Sequence, residues 1–406
     1  MGASPERIVV VGASLAGLRA VEAARKAGFG GPVTLIGAED HLPYDRPPLS
    51  KAYLDEGDPV TPWFRTADHL TGELGIDLRL GTPASALDTA SRTVVVGRDE
   101  IPYDVAVIAT GARPRTLPGA DGLAGVHTLR TLDDARAVRA ALDAGARTVV
   151  VGAGFIGSEV ASGARKRGLP VTVVEAMPTP LVRAVGEAMG QRCAALHRAN
   201  GTDLRCGVGV AGFEGDGRVE RVRLSDGTAM EADLVVVGVG AQPATGWLAG
   251  SGVTLDDGVV CDATLATGGP GVYAAGDVAR WHNPLFDRPM RLEHWTSAAE
   301  QGAAAVRNAL DPSAARPYET VPYFWSDWYD TRIQFVGVPT ADEVVVVEDG
   351  SGAAGGRQVA LYREGDRLVG ALTVNGQSVI MKYRGLIMRR TSWADALDFA
   401  RARREA

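Results

Sequence analysis

One local pattern occurs twice in this chain and limits the folds open to it. The apolar run Ile8-Val9-Val10-Val11 leads into the glycine-rich turn 12–17 and a stretch of helix-forming residues, and residues 147–175 repeat this order. Short, continuously apolar strands are typical of a parallel sheet that is buried on both faces. The duplicated strand–turn–helix–strand unit therefore predicts an α/β protein with two nucleotide-binding domains.

The second copy carries the complete dinucleotide-binding pattern, Gly152-Ala153-Gly154-Phe155-Ile156-Gly157. In a Rossmann unit the first glycine makes the turn and the second lets the backbone approach a pyrophosphate. The third glycine lets helix and strand pack closely. The helix N-terminus adds N–H groups and its dipole. The alternative is a tight strand-to-helix turn that holds no ligand.

A carboxylate ends the next strand of the same unit. Glu175 stands about 20 residues beyond the turn, where an acidic residue binds the ribose diol of NAD. Because a carboxylate at this point repels a 2′-phosphate, we predict NADH rather than NADPH. A surface glutamate without a ligand is the alternative.

The first copy departs from the pattern at one position. Gly12-Ala13-Ser14-Leu15-Ala16-Gly17 has Ser14 in place of the second glycine. Serine is small and its hydroxyl can donate to a phosphate, so we expect binding to persist. Glu39 is the candidate ribose ligand. Glu22 and Asp40 compete with it but rank lower, since Glu22 lies in the middle of the helix and Asp40 one residue further on.

Two dinucleotide sites in one chain suggest electron transfer between two dinucleotides. NADH and a flavin form the natural pair, a two-electron donor and a cofactor that can pass electrons singly.

The sequence changes character after about residue 321. Aromatic residues cluster there, alternating apolar and polar runs predict an antiparallel sheet, and two helical stretches follow, at 377–389 and from Ser392 onward. We predict three domains: an FAD-binding domain (1–112 and 245–320), an NADH-binding domain (113–244) and a C-terminal α+β domain (321–406).

Composition excludes several classes of protein. The net charge of −7 argues against nucleic acid as the main partner, and the sequence has no run of about 18 apolar residues for a membrane span. The apolar run near the N-terminus is too short for a signal peptide, so we expect a cytoplasmic protein. Cys193, Cys206 and Cys261 form no CxxC pair and no metal-ligand spacing, so no metal site is predicted.

Several motifs together resemble a known family. Two-dinucleotide-binding flavoproteins in general share four of these motifs: Gly12–Gly17, Ala109-Thr110-Gly111, Gly152–Gly157 and Ala275-Gly276-Asp277. Those that are more specific are Tyr44–Lys51, Glu293-His294-Trp295 and Pro322–Asp327. Over essentially its whole length the chain resembles the NADH-dependent, FAD-containing ferredoxin reductases of bacterial oxygenase systems. The resemblance implies a glutathione-reductase-like arrangement of the two Rossmann-like domains, with FAD and NADH as cofactors.

Pattern and resemblance together give a set of residues for FAD. The set is Gly12, Ser14, Leu15, Ala16, Gly17, Glu39, Arg46, Lys51, Ala84, Thr110, Gly111, Arg130, Gly276, Asp277, His294, Trp295 and Trp325. The resemblance implies that Asp277 bonds the ribityl chain and that Trp295 offers backbone contact to the pyrimidine end. It also implies that Trp325 packs near the ring.

A second set is assigned to NADH. Its members are Gly152, Gly154, Phe155, Ile156, Gly157, Glu159, Glu175, Arg183, Gly238 and Gly240. The resemblance further implies a catalytic pair, with Lys51 beside flavin N5 and Glu159 as its partner. A buried cation requires a carboxylate partner, which is consistent with that pairing. Ordinary helix-surface positions are the alternative for Lys51, Glu159 and Arg183.

The cysteines bear on the route of the electrons. Related dithiol reductases carry a CxxxxC or CxxC beside the flavin, and related NADH oxidases and peroxidases carry one cysteine in the loop that here runs from Asp40 to Lys51. This loop has none. Electrons are therefore expected to leave the flavin directly for an external iron–sulfur centre.

The resemblance implies a partner, a small acidic ferredoxin of the 2Fe–2S or 3Fe–4S type, which serves a monooxygenase or a dioxygenase. Basic residues outnumber acidic ones from Lys382 to the end of the chain, which would give a steering surface. A solvated helix face is the alternative. Two other functions remain open: a rubredoxin or monodehydroascorbate reductase, and a signalling flavoprotein like apoptosis-inducing factor.

Overall fold

The structure, a computed structural model, describes residues 5–120, 122–350 and 356–404. Seven α-helices lie within these ranges: α1 (Leu15–Lys26), α2 (Leu132–Asp143), α3 (Phe155–Lys166), α4 (Val182–Ala199), α5 (Trp295–Leu310), α6 (Gln377–Met388) and α7 (Trp393–Arg404). Contacts divide the chain into two compact units. The first unit comprises residues up to 45, 62–113 and 242–322, and the second comprises 46–61, 114–241 and 323 onward.

The first unit is built on a five-stranded parallel sheet. In spatial order its strands are Val272–Ala274, Val105–Ile108, Ile8–Val11, Val33–Ile36 and Ile76–Arg79. All four residues of the central strand are buried, which explains its unbroken apolar run. Helix α1 packs closely on α5. The approach requires glycine at position 302, because a Cβ there would lie only 2.1 Å from the Ala16 carbonyl oxygen.

Two smaller three-stranded sheets complete the first unit. One consists of Ala84–Asp88, Thr93–Val96 and Asp99–Pro102, and the other of Val259–Cys261, Ala279–Asn283 and Arg288–Arg291. Two short strands, Ala112–Pro114 and Ala241–Pro243, lie where the chain passes from one unit to the other.

The second unit repeats the parallel sheet. Its strands, in spatial order, are Asp203–Cys206, Val171–Glu175, Thr148–Val151, Leu234–Val237 and Val126–His127. An antiparallel sheet of Val210–Glu214, Arg221–Leu224 and Ala229–Glu231 follows. The two duplicated sequence units thus form the two parallel sheets, as the repeated pattern predicts.

The C-terminal residues form a five-stranded antiparallel sheet within the second unit. Its strands, in spatial order, are Tyr323–Trp328, Thr331–Gly337, Arg367–Val374, Gln358–Glu364 and Glu343–Asp349. Helices α6 and α7 follow it, and Ser392 caps the N-terminus of α7: the Asp395 N–H donates to Ser392 Oγ at 3.2 Å. The three-domain division itself stays a prediction. No helix in the described part of the chain is long and apolar enough to cross a membrane.

Candidate functional site

In the glycine-rich turn of the second unit, one glycine has no room for a side chain and another has open space beside it. A Cβ at Gly157 would lie 2.1 Å from the Gly152 carbonyl oxygen, so this glycine lets α3 cross its strand closely. A Cβ at Gly154 would meet only the Gly238 carbonyl oxygen, at 3.8 Å. Packing therefore demands glycine at 157 but not at 154. The space at Gly154, in front of the α3 N-terminus, fits the approach of a pyrophosphate.

Glu175 lies at the carboxyl end of its strand and faces the same turn. Its carboxylate accepts hydrogen bonds from the Ala153 N–H at 2.7 Å and from the Met177 N–H at 2.8 Å. Fixed by two backbone donors, the charge stands at the edge of the sheet where the ribose of a dinucleotide lies in this fold. The geometry fits the predicted ribose ligand.

The other residues predicted for NADH lie around this turn or follow it. Phe155 begins α3, and its ring centroid lies 4.6 Å from that of Phe324. Ile156 is partly exposed on the first turn, and Arg183 is exposed in the first turn of α4. The remaining two, Gly238 and Gly240, follow the strand Leu234–Val237.

In the first unit the glycine-rich turn is equally close-packed. A Cβ at Gly17 would lie 1.9 Å from the Gly12 carbonyl oxygen. Ser14 is the N-cap of α1, and Leu15 and Ala16 form its buried first turn. With serine in place of the second glycine, the N-terminus of α1 still begins at the glycine-rich turn, which fits a phosphate-binding role.

Glu39 and its competitors differ in their surroundings. Glu39 accepts a hydrogen bond from the Tyr44 hydroxyl at 2.5 Å in the loop after the second strand. Glu22 forms ion pairs with Arg19 and Arg65 at 2.6 and 2.8 Å. A carboxylate held by two guanidinium groups is a poor ribose ligand, which argues against Glu22.

The later motifs of the first unit lie at its strand ends. The Thr110 hydroxyl donates to the Ala244 carbonyl oxygen at 2.9 Å, and Gly111 follows with φ of +67°. Gly276 and Asp277 form a short turn after the strand Val272–Ala274, and the Gly276 N–H donates to Gln301 Oε1 at 2.8 Å. Ala84 begins an antiparallel strand.

His294 and Trp295 mark the start of α5. The Trp295 indole N–H donates to Asp45 Oδ1 at 2.8 Å, which connects two of the specific motifs within the first unit. Burial lowers the pKa of His294 to about 4, so the imidazole is neutral at pH 7.

In the second unit, Lys51 and Glu159 form an ion pair, with Lys51 Nζ 2.9 Å from Glu159 Oε1. The Glu159 side chain is 2% exposed and that of Lys51 is 18% exposed. Lys51 Nζ also donates to the Pro47 carbonyl oxygen at 3.3 Å. Lys51 follows the short helix Pro47–Ser50, and Glu159 lies in α3, so neither residue is an ordinary helix-surface group.

Two serines that sequence analysis assigned no role complete this arrangement. The Ser50 hydroxyl donates to Glu159 Oε2 at 2.5 Å, and the Ser326 hydroxyl donates to Glu159 Oε1 at 2.5 Å. We call Glu159, Lys51, Ser50 and Ser326 the Glu159 cluster. Ser50 lies in the family-specific motif Tyr44–Lys51 and Ser326 in the motif Pro322–Asp327. Membership of these motifs is the sequence signal that could have identified them. Burial raises the pKa of Glu159, while Lys51 and the two hydroxyls oppose that rise.

The segment that carries Lys51 is held by two arginines, which the sequence did not reveal. Arg139 of α2 donates to the carbonyl oxygens of Tyr53 and Asp55 at 2.6 and 2.7 Å. Arg167, after α3, donates to the Leu54 carbonyl oxygen at 2.8 Å. These bonds attach the segment 46–61 to the helices beside the nucleotide turn.

Arg46, Arg130 and Trp325 also lie in the second unit. Arg46 Nη1 donates to the Arg130 carbonyl oxygen at 2.7 Å, and the Arg130 N–H donates to Asp134 Oδ2 at 2.9 Å. The Trp325 ring stacks on Tyr323 with centroids 5.7 Å apart.

A buried histidine lies close to the Glu159 cluster. His197 Nδ1 is 2.7 Å from the Tyr329 hydroxyl, Nε2 is 3.1 Å from Ser158 Oγ, and the ring stacks on Trp328 at 4.8 Å. Burial lowers the pKa of His197 to about 4, below the value of about 6.5 in an unfolded chain.

Because His197 is buried and neutral, we expect the folded chain to lose stability as the pH is lowered. Between pH 6.5 and 4 the unfolded chain binds a proton that folded His197 does not. The contribution of His197 to stability is therefore fully present above pH 6.5 and is lost as the pH is lowered toward 4. The free energy of unfolding should fall by about 2 kcal/mol from this group between pH 7 and 5. Urea unfolding of the parent and of His197→Gln at several pH values measures it: the variant should have a shallower pH slope. His69→Gln, at a partly exposed histidine, should keep the parent slope. Identical slopes in the parent and His197→Gln would refute the assignment.

The cysteines are unsuited to redox relay. Cys193 and Cys261 are buried, and burial raises the pKa of each thiol to about 12. Cys206 is half-buried, and burial raises its pKa as well. A thiol needs a lowered pKa to react readily, so none of the three is primed to exchange electrons. Among the described residues no group of three or more His, Cys, Asp or Glu side chains could hold a metal ion.

Comparison with known proteins agrees with this geometry. Residues 6–302 match the family described as pyridine nucleotide-disulphide oxidoreductase, and residues 323–402 match the domain described as reductase C-terminal. Rhodocoxin reductase of Rhodococcus erythropolis is 38% identical over 373 residues, which cover 91% of this chain and 86% of that protein. The biphenyl dioxygenase system ferredoxin–NAD(+) reductase component of Paraburkholderia xenovorans is 38% identical over 378 residues, which cover 91% and 89%.

A solved structure extends the similarity to three dimensions. The crystal structure of the covalent putidaredoxin reductase–putidaredoxin complex superposes with a TM-score of 0.90 at 32% identity, and the match covers 100% of both chains. The predicted fold class and the predicted cofactors are confirmed. The chain therefore belongs to the pyridine nucleotide-disulphide oxidoreductase family and is an oxidoreductase that uses FAD and NADH.

Proposed function

We propose that this chain passes electrons from NADH through FAD to a small acidic ferredoxin of the 2Fe–2S or 3Fe–4S type. That ferredoxin in turn feeds a haem-thiolate monooxygenase or a ring-hydroxylating dioxygenase. The carrying observation is the similarity to ferredoxin reductases along both the nucleotide-binding region and the C-terminal domain. The buried, high-pKa thiols support direct transfer from the flavin to the partner.

When bound, FAD accepts two electrons from NADH and releases them singly. The residues present fit both dinucleotides. Gly12, Ser14, Gly17 and the α1 N-terminus would hold the FAD pyrophosphate, and Gly154 and the α3 N-terminus would hold that of NADH. Lys51 would supply a positive charge to the flavin, as the family resemblance implies, and Glu159 would hold the Lys51 side chain in place.

The proposal is tested with purified FAD-loaded enzyme, NADH and a panel of ferredoxins, with cytochrome c reduction as the readout. We expect rapid cytochrome c reduction only when a 2Fe–2S or 3Fe–4S ferredoxin is added. Turnover with rubredoxin or monodehydroascorbate but with no ferredoxin would contradict it. Tight FAD binding with no electron transfer to any acceptor would favour the signalling alternative.

Helix α6 offers a docking surface for that acidic partner. Met381 and Met388 are exposed on this helix, at 48% and 39%, and lie next to the exposed cations Lys382 and Arg389. Apolar contact area flanked by positive charge suits a protein whose surface is acidic. We therefore assign ferredoxin docking to this face of α6.

Charge reversal tests the docking surface. In Lys382→Glu/Arg389→Glu, ferredoxin reduction at low ionic strength should slow by about 10-fold or more, because steered association is lost. Its dependence on salt should also flatten, while flavin reduction by NADH stays unchanged. The matched control Arg98→Glu/Lys166→Glu reverses two exposed cations elsewhere and should behave as the parent. Equal loss in both double variants would show only a net-charge effect and exclude α6 as the docking face.

The cytoplasmic location stays a prediction and rests on NADH as the electron donor. Cell fractionation with an antibody to the chain tests it, and recovery of the protein with membranes would contradict it.

A further inference from the structure

The Glu159 cluster contains a residue whose role no motif assigns. Ser326 lies in the first strand of the C-terminal sheet, and its side chain is completely buried. Its Oγ is 2.5 Å from Glu159 Oε1, and the Trp328 indole N–H donates to the same Oγ at 2.8 Å. The C-terminal region therefore reaches the partner of Lys51 through one hydroxyl group.

The direction of these hydrogen bonds follows from the chemistry of the groups. An indole N–H is a donor only, so Ser326 Oγ must accept from Trp328. The serine's single proton is then free to point to Glu159. Lys51 Nζ is also a donor only, and it lies on the same oxygen, Oε1. Two donors on Oε1 leave no place for a proton on that oxygen, so a proton on Glu159 would have to displace the Ser50 hydroxyl as the donor at Oε2.

Few other charges face Glu159 within the described part of the second unit. The segment 46–61 contributes Lys51. Helix α4 contributes His197, which reaches Ser158 rather than Glu159 and is neutral at pH 7. In the C-terminal hairpin, Asp327 lies 3.7 Å from Arg332. The charge of this buried carboxylate therefore depends on Lys51 and the two hydroxyls, against a burial penalty that raises its pKa.

We propose that Ser326 is a positioning residue: oriented by Trp328, it keeps Glu159 ionised and thereby holds the Lys51 side chain in its working position. The inference rests on the proposed role of Lys51 in the NADH–FAD half-reaction. It gives the C-terminal sheet a part in that half-reaction, separate from ferredoxin docking.

The test combines stopped-flow kinetics with NMR on FAD-loaded protein. In Ser326→Ala, the acidic limb of the pH profile for flavin reduction by NADH should move upward by about one to two pH units. This shift follows because Glu159 loses one charge-assisted hydrogen bond and takes up a proton at higher pH. The second readout is the chemical shift of the Lys51 13Cε resonance as a function of pH. It follows the titration of Glu159 in enzyme that is not turning over. The chain has only four lysines (Lys26, Lys51, Lys166 and Lys382), and the signal is assigned by its loss in Lys51→Met.

Ser162→Ala is the matched control. Ser162 is a buried serine of the same helix α3 and accepts a hydrogen bond from the Tyr329 N–H of the same hairpin, whereas the hydrogen bonds to the Glu159 carboxylate come from Lys51, Ser50 and Ser326. Its loss should lower stability without moving either pH-dependent readout. A second variant, Trp328→Phe, keeps a ring next to His197 and removes the donor that orients Ser326, although the smaller ring also leaves buried space; its shift should have the same sign and be smaller.

Each outcome decides the inference. Shifts in Ser326→Ala and Trp328→Phe, absent in Ser162→Ala, would support it. No shift in either, or an equal shift in the control, would overturn it, and Trp328→Phe alone decides if Ser326→Ala does not fold. If the NMR shift is present but Lys51→Met reduces flavin at the parent rate, the electrostatic link stands and the proposed role of Lys51 fails.

Discussion

Replacing Lys51 with methionine should slow flavin reduction by NADH by about 100-fold or more. Methionine keeps most of the apolar stem of lysine and removes the ammonium group, together with its contacts to Glu159 and the Pro47 carbonyl oxygen. Preorganised charges aimed at the reacting group are commonly worth about 100-fold to 1,000-fold in rate, because they act in a site from which water is excluded. Lys51 is held for this by its 2.9 Å pair with buried Glu159. Stopped-flow absorbance at the flavin band under saturating NADH measures the rate.

Lys166→Met provides the control for this experiment. Lys166 is an exposed lysine in the last turn of α3, so the same substitution removes a charge of the same kind outside the site. It should leave the rate unchanged. NADH affinity is measured in parallel, so that a loss of binding is distinguished from a loss of rate. A parent-like reduction rate in Lys51→Met would exclude a catalytic role for this residue.

Replacing Glu175 with glutamine should largely remove the preference for NADH over NADPH. The substitution keeps the shape of the side chain and one acceptor oxygen but removes the negative charge. Losing a charge-assisted hydrogen bond to the ribose should weaken NADH binding by about 10- to 100-fold. NADPH should bind better at the same time, since its 2′-phosphate no longer meets a carboxylate. The ratio of kcat/KM for the two nucleotides should fall by about 100-fold.

Glu187→Gln controls for the loss of one negative charge. Glu187 is exposed on α4 in the same unit and should have no effect on the ratio. Because Glu175 also accepts from the Ala153 and Met177 N–H groups, the melting temperature of Glu175→Gln is measured in parallel. An unchanged nucleotide ratio in a stable Glu175→Gln would rule out Glu175 as the ribose ligand.

The elements of this fold could be predicted because their signals are local. The predicted antiparallel sheet follows residue 321, and α6 (Gln377–Met388) ends one residue before the predicted stretch 377–389 does. The glycines at 12, 17, 152 and 157 could be predicted as well, since a close approach of backbone to backbone excludes every side chain at those positions.

The sequence by itself determined the two parallel sheets and the positions of the nucleotide turns. These depend on periodicity and on steric limits within a few residues. Only the tertiary structure decided what surrounds Lys51 and Glu159. Ser326 is 167 residues from Glu159 in sequence, and Arg139 holds Tyr53 through a backbone carbonyl, which every residue possesses. A hydrogen bond between distant residues, or to a carbonyl group, leaves no pattern in a single sequence, because its geometry exists only once the helices and the C-terminal sheet have packed.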